Sequence, residues 1–143
     1  MADKLEITIE MIIHATEDTK KILDSFEEFF GIQEKEFSKS NLTGHFENPI
    51  TILNAKITKK KAEKFLEILT SNLPEYQLDE VKDDLENRIQ NSKLYLRLGK
   101  QDMILGSLSL QEKDAIKLKI FTPIYKKKDT LKNYVKLFKV SSN

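Results

Sequence analysis

Three segments of the chain alternate apolar and polar residues with a period of two, and this pattern most constrains the fold. The first segment, 7–13, has apolar residues at every second position, and so do the segments 94–98 and 116–120. The residues between the apolar positions of the last two segments are Tyr95, Arg97, Lys117 and Lys119. Such alternation predicts β-strands that bury one face and expose the other.

Helices and turns are predicted between these strands. Thr16 can cap a first helix, and Gly31 can end it in the left-handed region. A hairpin follows, with strands at 35–46 and Ile50–Ile57 around the turn Glu47-Asn48-Pro49. Further helices are predicted from Thr58 to Pro74, over 77–90 and over 127–139. Gly99-Lys100-Gln101-Asp102 is predicted to be a tight hairpin turn, with 103–108 as the returning strand and Gly106 as a bulge.

This order of elements predicts an α+β fold with a largely antiparallel sheet and helices packed on one face, because short turns join most successive strands. A length of 143 residues suits a single domain over 1–143, with its core at about 5–139.

Charge is distributed unequally along the chain. Residues 1–90 contain 12 basic and 19 acidic residues, whereas residues 91–143 contain 12 basic and 4 acidic residues. A basic half on an acidic body suggests a positive surface for a polyanion. The alternatives are that the two halves neutralise each other across the fold, or that the charges only form solvated faces.

The strand alternation places the aromatic and cationic residues of 94–98 and 116–120 on one sheet face. Such a face is suited to single-stranded RNA, with bases stacked on Tyr95 and phosphates bound by Arg97, Lys117 and Lys119. An ordinary polar face or a homodimer surface fits the same pattern. The terminal helix adds a basic strip that contains Lys126, Lys127, Lys128, Lys132 and Lys136. A membrane-surface role for this helix is less favoured, because its apolar residues suit the core.

The sequence gives little support for an enzyme. It has no cysteine, and its two histidines, His14 and His45, do not have a metal-ligand spacing. No nucleotide-binding glycine loop or nucleophile motif is present. We therefore expect no catalytic residues, no metal and no cofactor. The N-terminus does not resemble a signal peptide and no apolar run is long enough to span a bilayer, so we expect a cytoplasmic protein.

Three segments of the chain form a recognisable combination: Ile12-Ile13-His14-Ala15-Thr16-Glu17-Asp18, Gly44-His45-Phe46-Glu47-Asn48-Pro49-Ile50, and Leu96-Arg97-Leu98-Gly99-Lys100-Gln101 running on through Asp114 to Ile120. Together they resemble a family of small archaeal proteins classed as RNA-binding and as predicted exosome-associated subunits. The resemblance covers about residues 5–121. It implies a fold like that of the ribosomal protein that binds 5S rRNA, and it implies RNA and RNA-processing partners. Gly99 stands where the pattern leads us to expect an acidic residue.

The sequence therefore predicts a non-catalytic RNA-binding protein of RNA processing or degradation. Arg97, Lys100, Lys117, Lys119 and the terminal lysines are expected to bind phosphates. Lys100 and Gln101 are expected to lie exposed at a hairpin tip, and His45, Gln101 and Tyr95 to add polar and stacking contacts. The alternative is a protein-interaction or self-assembly module that uses the complementary acidic and basic surfaces.

Overall fold

The computed structural model describes residues 5–43 and 49–122. Its strands are β1 (Glu6–His14), β2 (Ser38–Thr43), β3 (Pro49–Thr58), β4 (Ile89–Gln90), β5 (Lys93–Gly99) and β6 (Ala115–Phe121). Its helices are α1 (Thr19–Phe30), α2 (Lys59–Asn72), α3 (Glu75–Asp83), α4 (Leu85–Arg88) and α5 (Lys100–Ile104), with a 3₁₀ turn at Glu34–Glu36. The predicted terminal helix and most of the predicted 47–49 turn lie outside the described residues.

The six strands form one sheet in the order β2-β3-β1-β6-β5-β4, and each neighbouring pair is antiparallel. One core joins the inward residues of β1, β3, β5 and β6 to the buried faces of the helices. Phe26 and Phe30 of α1 pack there against Phe65 of α2, and the Phe30 and Phe65 rings are 4.2 Å apart. The α+β prediction with an antiparallel sheet is confirmed.

Helix α1 begins two residues later than predicted. Its N-cap is Asp18, whose Oδ1 accepts a hydrogen bond of 3.2 Å from the Lys21 backbone N–H. Thr16, the predicted cap, lies in the turn before it. Gly31 ends the helix with φ of 70°, as predicted for a left-handed C-cap.

The prediction for residues 99–108 is wrong. No hairpin forms there: Lys100–Ile104 is a short helix, α5, and Gly106 follows it with φ of 96°. The apolar run Met103-Ile104-Leu105 does not alternate, so its pattern fits a helix as well as a strand. In the helix Met103 is buried in the core, whereas Leu105, just after its end, is 83% exposed.

The segment predicted as one helix over 77–90 is divided. Helix α3 begins at Glu75, the chain turns at Asp84, and α4 ends at Arg88. Ile89 and Gln90 then pair with β5 through a two-residue turn, Asn91-Ser92, in which both φ angles are positive. This is the geometry of a tight hairpin whose twist matches that of its strands. It brings α4 beside β5.

Among the described residues there is no helix with the length and apolar character that crossing a bilayer requires.

Candidate nucleic-acid interface

Strands β5 and β6 separate apolar from charged side chains as the alternation predicts. The apolar residues of the two strands face the helices and are at most 1% exposed: Leu94, Leu96, Leu98, Ile116, Leu118 and Ile120. The residues between them point to the opposite side of the sheet. Tyr95 is 41% exposed, Arg97 and Lys117 are exposed, and Lys119 is partly exposed.

The strand register brings the predicted residues together. Tyr95 lies directly opposite Lys119, and Arg97 lies directly opposite Lys117. Lys93, which the sequence analysis did not single out, lies opposite Phe121. Strand β1 adds Glu6 opposite Phe121, Thr8 opposite Lys119 and Glu10 opposite Lys117. We call this surface the open face; its residues are Glu6, Thr8, Glu10, Lys93, Tyr95, Arg97, Lys117, Lys119 and Phe121.

The open face borders three neighbouring grooves. The largest of these three, of about 490 Å³, lies between α4 and the outer side of β5 and β6, and Tyr95, Arg97, Lys117 and Lys119 line it. A second groove of about 420 Å³ shares the lining residues Tyr95, Arg97 and Arg88 with it. A third, of about 310 Å³, shares Thr8 and Lys119 with it and is also lined by Lys93 and Phe121. The cations and the aromatic rings of the open face therefore line adjacent grooves.

Positive charge exceeds negative charge on the open face. Four cations come from β5 and β6, and two carboxylates come from β1. Glu6 forms an ion pair of 3.4 Å with Lys56 of β3, and this pair neutralises the negative charge of Glu6. Arg97 donates from Nη1 to the backbone carbonyl of Glu112 at 2.9 Å. This bond fixes one side of the guanidinium, and Arg97 remains an exposed cation.

Lys100 is not a surface residue, so the prediction that it lies exposed at a hairpin tip is wrong. Its side chain is 1% exposed. Its Nζ donates to the Ile12 carbonyl at 2.7 Å, to Glu17 Oε1 at 2.9 Å and to Asp114 Oδ1 at 2.9 Å. An ammonium group has three donors, so this cluster uses the whole hydrogen-bonding capacity of Lys100. Lys100 is therefore not available to bind a phosphate.

Gln101, the neighbour of Lys100, is exposed and donates from Nε2 to Glu17 Oε2 at 3.0 Å. His14 Nε2 lies 3.5 Å from Asp114 Oδ1. Two of the segments that carry the family resemblance thus meet around Lys100: the segment of His14 and Glu17, and the segment that runs from Lys100 to Asp114. Lys100, Ile12, Glu17 and Asp114 form a structural junction between β1, α5 and the start of β6.

His14, Glu17 and Asp114 offer ligand atoms within 4.8 Å of one another, which is a spacing that a metal ion could use. Lys100 Nζ, however, already lies 2.9 Å from an oxygen of each carboxylate. The ammonium group therefore supplies one positive charge to the two carboxylates and uses an oxygen of each as a hydrogen-bond acceptor.

Gly99 has a packing reason to be glycine. A β-carbon at this position would lie 2.6 Å from Gln111 Cγ, well inside van der Waals contact. Gln111 is held there by a hydrogen bond of 2.9 Å from its Nε2 to Asp102 Oδ2. The acidic residue that the resemblance leads us to expect at position 99 has no room in this arrangement.

Several predicted contact residues lie outside the described residues, and their roles remain predictions: His45, Lys126, Lys127, Lys128, Lys132 and Lys136. The groove residues that the sequence analysis did not single out include Arg88, Lys93 and Phe121. Lys93 and Phe121 continue the alternation of β5 and β6 by one step, so the signal for them was present. Arg88 carried no such signal, because it lay inside a predicted helix.

The comparisons with known proteins agree with this fold. The family model described as RNA binding matches residues 6–122. An uncharacterised protein of Methanocaldococcus jannaschii is 33% identical over 131 residues, which cover 82% of this chain and 86% of that protein. A protein of Pyrococcus abyssi named as an RNA-binding protein is 32% identical over 130 residues, covering 84% of each chain.

A solved structure of a similar protein has the same fold. The crystal structure of a DUF54 protein from Archaeoglobus fulgidus superimposes with a TM-score of 0.79 at 29% identity, over 92% of this chain and 97% of that one. The fold and the sequence matches together define a small α+β protein of the RNA-binding class. The chain belongs to this RNA-binding family.

Proposed function

We propose that the protein binds RNA through the open face, without catalysing a reaction. The observation that carries this proposal is the register of β5 and β6, which places Tyr95 and the cations Lys93, Arg97, Lys117 and Lys119 on one accessible surface. Membership of a family described as RNA binding and a relative named as an RNA-binding protein support it. The cations would bind the phosphates of the RNA, and the grooves would hold the RNA strand between these phosphate contacts.

The electrostatic part of this proposal predicts a strong dependence on salt. Four cations that each neutralise one phosphate of a single strand give a slope of about −3 for log K against log salt concentration, since each contributes about −0.7. Fluorescence anisotropy of a labelled single-stranded RNA, measured over a range of salt concentrations, tests this value. A protein that does not bind RNA even at low salt would overturn the proposal. Binding that is insensitive to salt would exclude the cations of the open face as its source.

The wider role that we propose is RNA processing or degradation of the archaeal type, with the exosome as a partner. The resemblance of the His14–Asp18 and Leu96–Ile120 segments supports this role. Co-purification of identified exosome subunits with the tagged protein, resistant to ribonuclease, is the expected result. Recovery of these subunits only while RNA is intact would indicate that RNA alone connects the protein to the exosome.

The alternative role, self-assembly through acidic and basic surfaces, makes a different prediction. Opposite charges on two copies attract at low ionic strength and are screened at high ionic strength. Sedimentation equilibrium would then give a mass that rises with protein concentration, falls with salt and does not depend on RNA. A constant monomer mass together with salt-dependent RNA binding would favour the open-face proposal.

A further inference from the structure

A second aromatic ring shares the open face with Tyr95. Phe121 is the last residue of β6, and it faces away from the helices because its neighbour Ile120 is fully buried. It lies opposite Lys93, two residues from Tyr95 along β5. Residues in this diagonal relation on one face of an antiparallel pair are about 7–8 Å apart. Tyr95 and Phe121 are therefore close enough for adjacent nucleotides to reach both.

The surroundings of the two rings are those of a site for a charged chain. Phe121 lines a groove with Lys93 and Lys119, and Tyr95 lines the largest groove with Lys119 and Arg97. Lys119 belongs to both grooves and lies directly opposite Tyr95. Lys93 in turn lies directly opposite Phe121, so each ring has a lysine across from it on the neighbouring strand.

The largest groove also offers groups that can bind the edges of bases. Asn87 and Gln90 line it together with Tyr95, and both residues are exposed. Asn87 Nδ2 donates one hydrogen bond of 2.6 Å to Asp84 Oδ1. An amide can donate and accept hydrogen bonds, as the edge of a base requires. The largest groove is thus lined by amide groups, an aromatic ring and cations, which can bind the edge of a base, its face and the phosphate of an unpaired nucleotide.

We propose that Tyr95 and Phe121 form a stacking platform for two adjacent unpaired bases, so that the open face selects single-stranded over double-stranded RNA. This inference rests on the proposed function. In a duplex the bases stack on one another and their faces are not accessible, whereas unpaired bases stack on aromatic side chains of open sheets. Phosphates beside the two bases are then bound by Lys93, Lys119 and Arg97.

The test compares single-stranded RNA and a duplex of the same sequence on four variants. Tyr95→Ala and Phe121→Leu should each weaken single-strand binding by roughly 5- to 150-fold, the range expected for loss of one base stack. Both should leave duplex binding almost unchanged. Tyr95→Phe keeps the ring and should bind like the parent protein. Tyr76→Ala removes an exposed tyrosine of α3, outside the open face, and serves as the matched control.

An RNA with two adjacent abasic positions gives a second, independent readout. The parent protein should lose affinity for this RNA, but a Tyr95→Ala/Phe121→Leu variant should not lose more, because the stacks are already absent. Unchanged single-strand affinity in the folded variants, with binding still lost on charge reversal of Lys117 and Lys119, would overturn the platform and leave the proposed function intact. A parent protein that binds no RNA would overturn both.

Discussion

Replacement of Lys100 by methionine is expected to lower the free energy of unfolding by about 3–5 kcal/mol, the usual cost of removing one partner of a buried ion pair. Methionine fills a similar volume but donates no hydrogen bond. The change removes the Lys100 donor from the Ile12 carbonyl. The Glu17 carboxylate, whose side chain is only 12% exposed, keeps the hydrogen bonds from Gln101 Nε2 and the His14 backbone N–H but loses its cation. Urea unfolding followed by far-ultraviolet circular dichroism measures the difference.

Two further variants make this test specific to the cluster. Lys113→Met removes an exposed lysine beside Asp114 and should change stability by less than about 0.5 kcal/mol. The double variant Glu17→Gln/Lys100→Met removes the Glu17 carboxylate charge together with the Lys100 ammonium group. This double variant should therefore be more stable than Lys100→Met alone. A Lys100→Met protein as stable as the parent would mean that water satisfies the cluster and that Lys100 does not hold this junction together.

Reversal of charge at Lys117 and Lys119 is expected to lower RNA affinity by about 100-fold or more. Two phosphate contacts are lost, and two new carboxylates repel the RNA at the centre of the grooves. The fold should remain, because neither side chain belongs to the core. Fluorescence anisotropy at one fixed salt concentration gives the affinity, and circular dichroism verifies that the protein is folded.

The matched control is Lys60→Glu/Lys64→Glu, which makes the same change in net charge on exposed lysines of α2, on the helix side of the sheet. It should retain most of the affinity. Lys117→Gln/Lys119→Gln removes the contacts without adding repulsion, and its salt slope should fall from about −3 to about −1.5. Equal losses in the reversal variant and its control would show that net charge matters and that the open face does not.

The alternation of apolar and polar residues was sufficient to predict the central strands and the side of the sheet on which Arg97 and Lys117 lie. Each strand obeys a local rule: side chains point to opposite faces in turn, and one face is buried. Phe121 follows the same rule one step further along β6. The open face was therefore largely predictable from the sequence.

The junction around Lys100 could not be predicted in the same way. Two of its three partners, the Ile12 carbonyl and Glu17, are 88 and 83 residues away along the chain. A lysine beside glycine in an apolar region looks like an exposed turn when only its neighbours are considered. Its burial depends on where β1 and α1 place their groups after folding, which is tertiary information.

The break between α3 and α4 was missed for a related reason. The apolar spacing of Leu78, Val81 and Leu85 continues without interruption, so the sequence pattern predicts one helix. The turn at Asp84 follows from the short hairpin of β4 with β5, which redirects the chain toward the sheet. This hairpin places Arg88 and Gln90 near Tyr95, and all three residues line the largest groove.

The most direct test of the central claim is an NMR titration of the isotope-labelled protein with a short single-stranded RNA. We expect the backbone amide shifts of 93–97 and 115–121 to change most, with smaller changes at 6–10 of β1. The amides of 59–72 in α2 should remain unchanged. Shifts concentrated in α1 and α2, with 93–97 and 115–121 unaffected, would contradict the assignment of RNA binding to the open face.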